Sequence, residues 1–198
     1  MADPYPVYEV DEDTLLLADV LSKELNARLE KLPCAKRLSF LDMGAGSGYL
    51  GFEAFKKKGV SVTLADNNPQ AISYMKLLVE DEDFNITVLE SDLFEHIPSQ
   101  EFDVIAFNTP YLPYDTEDDV FDPSVHGGVN GNEVTLRFLD QAKSYLAPGG
   151  CILLLFSSLS SPETIVDHMD GLGFSYSIKA RKKLFFETLY VYRLWIET

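Results

Sequence analysis

Apolar positions along this chain follow two rhythms. From residue 14 to 30, Leu17, Leu21, Leu25 and Leu29 recur at a spacing of four, which is one stripe of an α-helix. Asp11 or Asp13 is placed to cap its start, where backbone N–H groups lack helical partners, and Pro33 closes it. Beyond it, short apolar runs alternate with helical patterns, as they do in a parallel sheet with crossover helices. Strands are predicted over 38–43, 60–65, 86–89, 102–107 and 151–156. Helices are predicted from 49 to about 58, after Pro69, over 132–146 and from Pro162 to Gly171, with Pro148-Gly149-Gly150 as a sharp turn. Two last strands, 174–180 and 184–195, are joined by the basic run Lys179-Ala180-Arg181-Lys182-Lys183, read as a solvated hairpin tip. The pattern predicts an α/β fold with a mostly parallel seven-stranded sheet and a C-terminal antiparallel hairpin. Residues 1–13 read as an extended arm. The connection 112–130, rich in Pro, Gly and Asp, has the length of a functional loop.

Length and composition narrow the function. A chain of 198 residues, 46% hydrophobic and 24% charged, is expected to form a single soluble domain over 1–198. No apolar run reaches membrane-spanning length and no secretion signal opens the chain, so a cytoplasmic setting without membrane contact is expected. Cys34 and Cys151 lack metal-site spacing and fit a reducing compartment, so no metal is expected. Acidic residues outnumber basic ones 32 to 16, a net charge of −16. Such a surface cannot displace counterions from nucleic-acid phosphates, which argues against a nucleic-acid partner and for a basic one.

Candidate chemistry sits where predicted strands end. Asp42-Met43-Gly44-Ala45-Gly46-Ser47-Gly48 is a glycine-rich strand-to-helix turn, whose glycines let the backbone approach a ligand. Asp66 follows the second strand, where an acid can hold ribose hydroxyls. Asp92, after the third, can accept from an adenine amino group, with Leu93 against the ring. A pyrophosphate-bearing dinucleotide would want its third glycine one residue later, and Gly51 is out of that register, so S-adenosylmethionine fits better. The fourth strand ends in Asn108-Thr109-Pro110-Tyr111, a polar cup suited to a planar amino group. Asn108 Oδ1 and the main-chain carbonyl of Thr109 can take its two N–H bonds, and Tyr111 can stack on it. The cup alone does not choose between a carboxamide and the exocyclic amine of adenine. His126 reads as a loop residue, and His96 and His168 as surface.

These motifs, in this order, resemble the class I methyltransferases of the HemK-type protein-glutamine branch, with their Rossmann-like fold. Tyr8-Glu9-Val10-Asp11-Glu12-Asp13-Thr14 and Gly127-Gly128-Val129-Asn130-Gly131-Asn132-Glu133-Val134 are similar to motifs of the eukaryotic and archaeal subgroup that modifies class I release factors. The resemblance implies N5-methylation of the glutamine in a Gly-Gly-Gln motif, with S-adenosyl-L-homocysteine as product. It assigns Asn108, Thr109, Pro110 and Tyr111 to catalysis. Thr14, Asp42, Gly44, Gly46, Gly48, Asp66, Asp92, Leu93 and Asn108 it assigns to the cofactor. It also implies a small zinc-binding activator subunit, expected to cover the sheet edge at the third strand. Three positions depart from the pattern: Val10 for Pro, Asn132 for Arg, and Thr109 for the first Pro of Asn-Pro-Pro-Tyr. Thr109 adds a backbone N–H and flexibility inside the cup. The acidic run Asp115-Thr116-Glu117-Asp118-Asp119-Val120-Phe121-Asp122 is expected to steer a basic substrate segment. The alternatives are an N6-adenine methyltransferase acting on DNA or RNA, and a non-catalytic cofactor-binding scaffold disabled by Thr109.

Overall fold

A computed structural model of the chain describes residues 10–80, 85–114 and 120–197. Helix α1, Glu12–Leu29, starts where Asp11 accepts the Glu12 N–H. The predicted arm is therefore helical from Glu12 on, because that carboxylate supplies the acceptor an N-terminus needs. Strands β1 (Leu38–Met43), β2 (Val60–Asp66), β3 (Ile86–Glu90) and β4 (Phe102–Asn108) follow, with α2 (Tyr49–Phe55) and α3 (Pro69–Val79) between the first three. A short parallel pair, β5 (Leu112–Pro113) and β6 (His126–Gly128), lies within the predicted loop. Helix α4 (Glu133–Ala142), strand β7 (Leu146–Ser157), helix α5 (Pro162–Gly171) and strands β8 (Ser175–Lys183) and β9 (Thr188–Trp195) complete the order.

The seven long strands run β3-β2-β1-β4-β7-β9-β8 across one sheet. Only β9 opposes its neighbours, pairing antiparallel with β7 and β8. Successive side chains of the central strands bury into opposite layers. Phe40, Ala106 and Leu153 pack with Leu21 and Met75 from α1 and α3, while Leu41, Phe107 and Leu154 pack with Phe138 and Met169 from α4 and α5. Strand order reverses between β1 and β4, so the carboxyl ends of these two strands open the crevice in which doubly wound sheets bind ligands.

Several predicted boundaries move: α2 already ends at Phe55 and α4 at Ala142, and two shifts change how a motif is read. Pro148-Gly149-Gly150 lies inside β7, where the pairing with β4 shifts register and Gly149 takes φ +74°, so it forms a bulge rather than a turn. The basic run lies within β8, and the tip between β8 and β9 is Leu184–Glu187, closed by the Leu184 N–H to the Glu187 carbonyl at 2.8 Å. Lysines on an edge strand discourage further strand pairing, which accounts for their place on β8.

One ionic cluster ties α1 to the sheet. Glu24 accepts from Arg28 Nε (2.7 Å), Arg193 Nε (3.0 Å) and the Cys151 thiol (3.2 Å). Burial alone would raise its carboxyl, but the arginine and thiol hydrogen bonds outweigh that and bring it down to about 2. Burial pushes the Cys151 thiol up to about 12, so it stays protonated and donates. A carboxyl lowered on folding stabilises the native state above its unfolded pKa, and that stabilisation fades as pH falls through the folded value. After allowance for solvent screening it is worth about 1–2 kcal/mol at neutral pH. Thermal melts should therefore show wild-type stability falling from pH 5 towards pH 2 along a steeper limb than that of Glu24→Gln; parallel limbs would remove Glu24 from the acid response.

Candidate active site

A cleft of about 350 Å3 opens at the carboxyl ends of β1, β2 and β4. It brings together Gly44, Gly46, Asp66, Asp92, Leu93 and the four cup residues. A smaller recess beside it is lined by Thr14, Asp42, Gly44, Gly46 and Asn108. Gly48 reaches neither. It sits at φ +77° at the start of α2, where a Cβ would lie 2.7 Å from the Phe52 ring, so helix packing is what requires a glycine there. Gly51 does similar work, since a Cβ on it would fall 2.0 Å from Leu64 Cδ2. The tight helix–strand approach that a third motif glycine gives a dinucleotide site is thus supplied here by Gly51.

The acids divide by environment. Asp42 is buried and accepts the Gly51 N–H at 2.9 Å, and burial raises its carboxyl well above the usual range. Asp66 accepts the N–H groups of Gly46 (2.7 Å) and Asn68 (2.8 Å), with burial again raising its carboxyl against these bonds. The Asn67 N–H is a third donor to it, and because a carboxylate has about four acceptor sites, one stays open to a ribose hydroxyl. Asp92 is exposed and paired with Arg137 of α4 at 2.7 Å. An exposed pair of this kind is worth less than about 1 kcal/mol, so it yields readily to a ligand amine. Leu93 takes φ +49°, a conformation that L-residues rarely occupy, and is held there by the Ser91 hydroxyl donating to its carbonyl at 2.7 Å. Left-handed glycines, an Asp66 carboxylate with one acceptor site open and a pinned Leu93 fit an adenosyl ligand.

The cup is wired from the N-terminal helix. Asn108 Nδ2 donates to Thr14 Oγ1 at 3.3 Å, Thr14 Oγ1 lies 3.2 Å from Asp13 Oδ1, and the Tyr111 hydroxyl donates to Asp13 Oδ2 at 3.4 Å. Asp13 therefore holds Tyr111 directly and Asn108 through Thr14. Sequence reading gave Asp13 only a capping role; the signal available was its place next to the assigned Thr14. Burial, with Asp13 and Glu187 nearby, raises the Tyr111 phenol above its ordinary value, so it stays neutral and donates. Asn108 Oδ1 is buried and has no hydrogen-bond partner among the described residues. Buried acceptors are almost always paired, and one left unpaired costs about 1–3 kcal/mol. An orphan acceptor on a residue that lines the cleft is a candidate binding group.

Thr109 is fixed rather than loose. Its N–H (3.3 Å) and its hydroxyl (2.9 Å) both donate to the Leu155 carbonyl of β7. Both donors that proline lacks are thus turned into the sheet, and the residue is only 3% exposed. Thr109→Val should cost about 1 kcal/mol, a Tm fall of roughly 2–4 °C, with little change in kcat. A large kcat loss at unchanged Tm would instead place the hydroxyl in the chemistry.

Glycines of the second motif brace the cup from behind. A Cβ on Gly127 would lie 2.2 Å from the Pro110 carbonyl oxygen, and one on Gly131, at φ +75°, would lie 2.4 Å from that of Tyr111. Glu133 accepts the N–H groups of Asn130 (3.0 Å) and Asn132 (3.2 Å), closing the turn, while Asn132 is buried at the start of α4. His126 lines the cleft but spends Nδ1 on the Asp122 N–H (2.9 Å), and its ring joins those of Tyr114 and Phe121. It is a wall residue with no proton-transfer geometry. His96 lies by the Glu90 carbonyl and His168 pairs with Asp140 on the surface. Tyr8 and Glu9 of the N-terminal motif, and the acidic stretch 115–119, lie outside the described residues. Among the described residues no group of His, Cys, Asp and Glu is arranged to hold a metal, and no helix is long and apolar enough to cross a membrane.

Comparison with known proteins agrees with the fold. Residues 5–173 match the family model described as the methyltransferase small domain. A Methanocaldococcus jannaschii protein provisionally named as a protein N5-glutamine methyltransferase is 35% identical over 96% of this chain and 91% of its own length. The catalytic subunit of the Schizosaccharomyces pombe eRF1 methyltransferase, mtq2, is 26% identical over 96% and 89%. Among solved structures, the E. cuniculi Mtq2–Trm112 complex, which methylates the eRF1 termination factor, superposes with a TM-score of 0.72 at 26% identity, over 96% of this chain and 98% of that one. The fold and the matched span agree: this chain belongs to the methyltransferase small domain family.

Proposed function

We propose that the chain methylates the side-chain amide nitrogen of a glutamine, in the Gly-Gly-Gln motif of a class I release factor, using S-adenosylmethionine and leaving S-adenosylhomocysteine. The observation that carries this is the orphan Oδ1 of Asn108, held in place through Thr14 and set beside the clamped Thr109. An amide nitrogen is a poor nucleophile because its lone pair is shared with the carbonyl. Asn108 Oδ1 takes one N–H and the Thr109 carbonyl takes the other, so the amide plane is fixed. As charge builds on nitrogen, both acceptors stabilise it. Bound S-adenosylmethionine supplies an activated methyl group on its sulfonium. One nitrogen proton is then lost to solvent. Thr14, Asp42, Gly44, Gly46, Asp66 and Asp92 are the residues that would hold the cofactor.

Protein rather than nucleic acid is favoured by the net charge of −16, and by relatives named for protein glutamine and for eRF1. The reading places the enzyme in the cytoplasm with its substrate. It includes an activator subunit of the Trm112 kind at the β3 edge, where α3 leaves Leu77 two-thirds exposed beside Tyr74 and Leu78. The test is methyl transfer from labelled cofactor to a class I release factor, to its Gln-substituted form and to an adenine oligonucleotide. Label confined to the unsubstituted release factor is expected. Label on the oligonucleotide alone would sink the reading.

A further inference from the structure

The cup reads a carboxamide, and every glutamine has one. Choice among glutamines must come from surface outside the cleft. The tip between β8 and β9 stands on that surface. Asn108 pairs with Leu155 on β7, while Ser157, two residues further on, pairs with Leu189 of the antiparallel β9. Residues 184–187 therefore project beyond the carboxyl end of β7, the same end of the sheet as the cup. Two strand spacings, on the order of 10 Å, separate β9 from β4.

That tip presents Phe185 and Phe186, 91% and 85% exposed, with their rings edge to face at 4.6 Å. No other aromatic side chain among the described residues is as exposed. The tip is braced to the site. The Ser157 hydroxyl donates to Glu187, the Ser158 N–H reaches the Thr188 carbonyl at 2.8 Å, and Lys182 pairs with Glu12, next to Asp13. Glu187 is also close enough to act on the Tyr111 phenol. Just before the rings in the chain lies the basic run Lys179-Ala180-Arg181-Lys182-Lys183, with Arg181 and Lys183 exposed.

Resting on the function proposed above, we infer that Phe185 and Phe186 dock the body of the protein substrate. They would enter an apolar depression bordered by acidic side chains, on the protein that carries the target glutamine. The position, at the same end of the sheet as the cleft, and the exposed basic side chains that precede the tip argue for this occupant. An activator at β3 would sit on the opposite edge of the sheet.

The test compares the full chain with Phe185→Ser/Phe186→Ser and with Lys183→Glu. Both are read by Kd for a full-length class I release factor, by steady-state methylation of it, and by methylation of a short peptide carrying Gly-Gly-Gln. The double variant should raise Kd and KM for the protein roughly ten- to hundredfold, with kcat at saturation and peptide turnover unchanged. Lys183→Glu should raise the same Kd less, and the difference should shrink in high salt. Unchanged Kd in the double variant overturns the inference, as does a wild-type chain that does not bind the release factor. So does a concentration-dependent dimer that the double variant abolishes, since the tip would then belong to a second copy. Peptide methylation by every variant keeps the glutamine reading standing whichever way the docking result falls.

Discussion

Asn108→Ala should lower kcat for methyl transfer by roughly 10²–10³-fold, leave cofactor affinity within a few-fold, and leave Tm unchanged or higher. The first effect follows from losing one of two acceptors aimed at charge that appears only in the transition state. The third separates this residue from the structural ones. Its Oδ1 is already unpaired and buried, so deleting it removes a cost rather than a bond, and the Nδ2 contact it gives up, to Thr14, is long at 3.3 Å. Activity lost without stability lost is the signature of a group kept for function. Single-turnover transfer, cofactor titration and a thermal melt of one preparation read all three. A kcat within about threefold of wild type would take Asn108 out of the mechanism.

Local rules made most of this architecture readable before any coordinates. The leucine stripe of α1, the apolar runs of β1, β2 and β4, and the Pro162 start of α5 each carry their own period or cap, so each falls where its pattern puts it. What escaped the sequence depends on partners distant in the chain. Whether Pro148-Gly149-Gly150 turns or bulges is decided by Phe102 and Val104 of β4, which pair on either side of the shift. Thr109 reads as a flexible intruder until Leu155, far along the chain, is seen taking both of its donors. Asp13 looks like one more helix-capping acid until the fold sets Tyr111 against it. Phe185 and Phe186 fit a strand pattern well, and only their exposure on the tip shows that the pattern is not about burial. The cup's motif was legible; what holds it still was not.

That support makes Gly127 the second position with a large effect. Gly127→Ala adds one methyl group that would stand 2.2 Å from the Pro110 carbonyl oxygen and 2.5 Å from that of Gly131. Both neighbours are backbone, so no side chain can swing aside. Ordinary contact needs more than 3 Å, so the cup and the turn behind it must separate by about 1 Å. A shift of that size at the acceptors is enough to lower kcat roughly 10²-fold, while overpacking costs about 1–3 kcal/mol and a Tm fall of several degrees. Cofactor affinity should change less, since Gly44 and Gly46 lie on the turn between β1 and α2 and Asp66 ends β2. Gly171→Ala is the control, because a Cβ there meets nothing within 4 Å, and it should leave kcat and Tm near wild type. If Gly127→Ala turns over like the control while its Tm falls, the brace is structural only and the cup does not lean on it. If kcat falls with a modest loss of Tm, the glycine motif serves the chemistry without touching substrate, by keeping one main-chain carbonyl and one amide oxygen within ångström tolerance of a nitrogen that reacts poorly anywhere else.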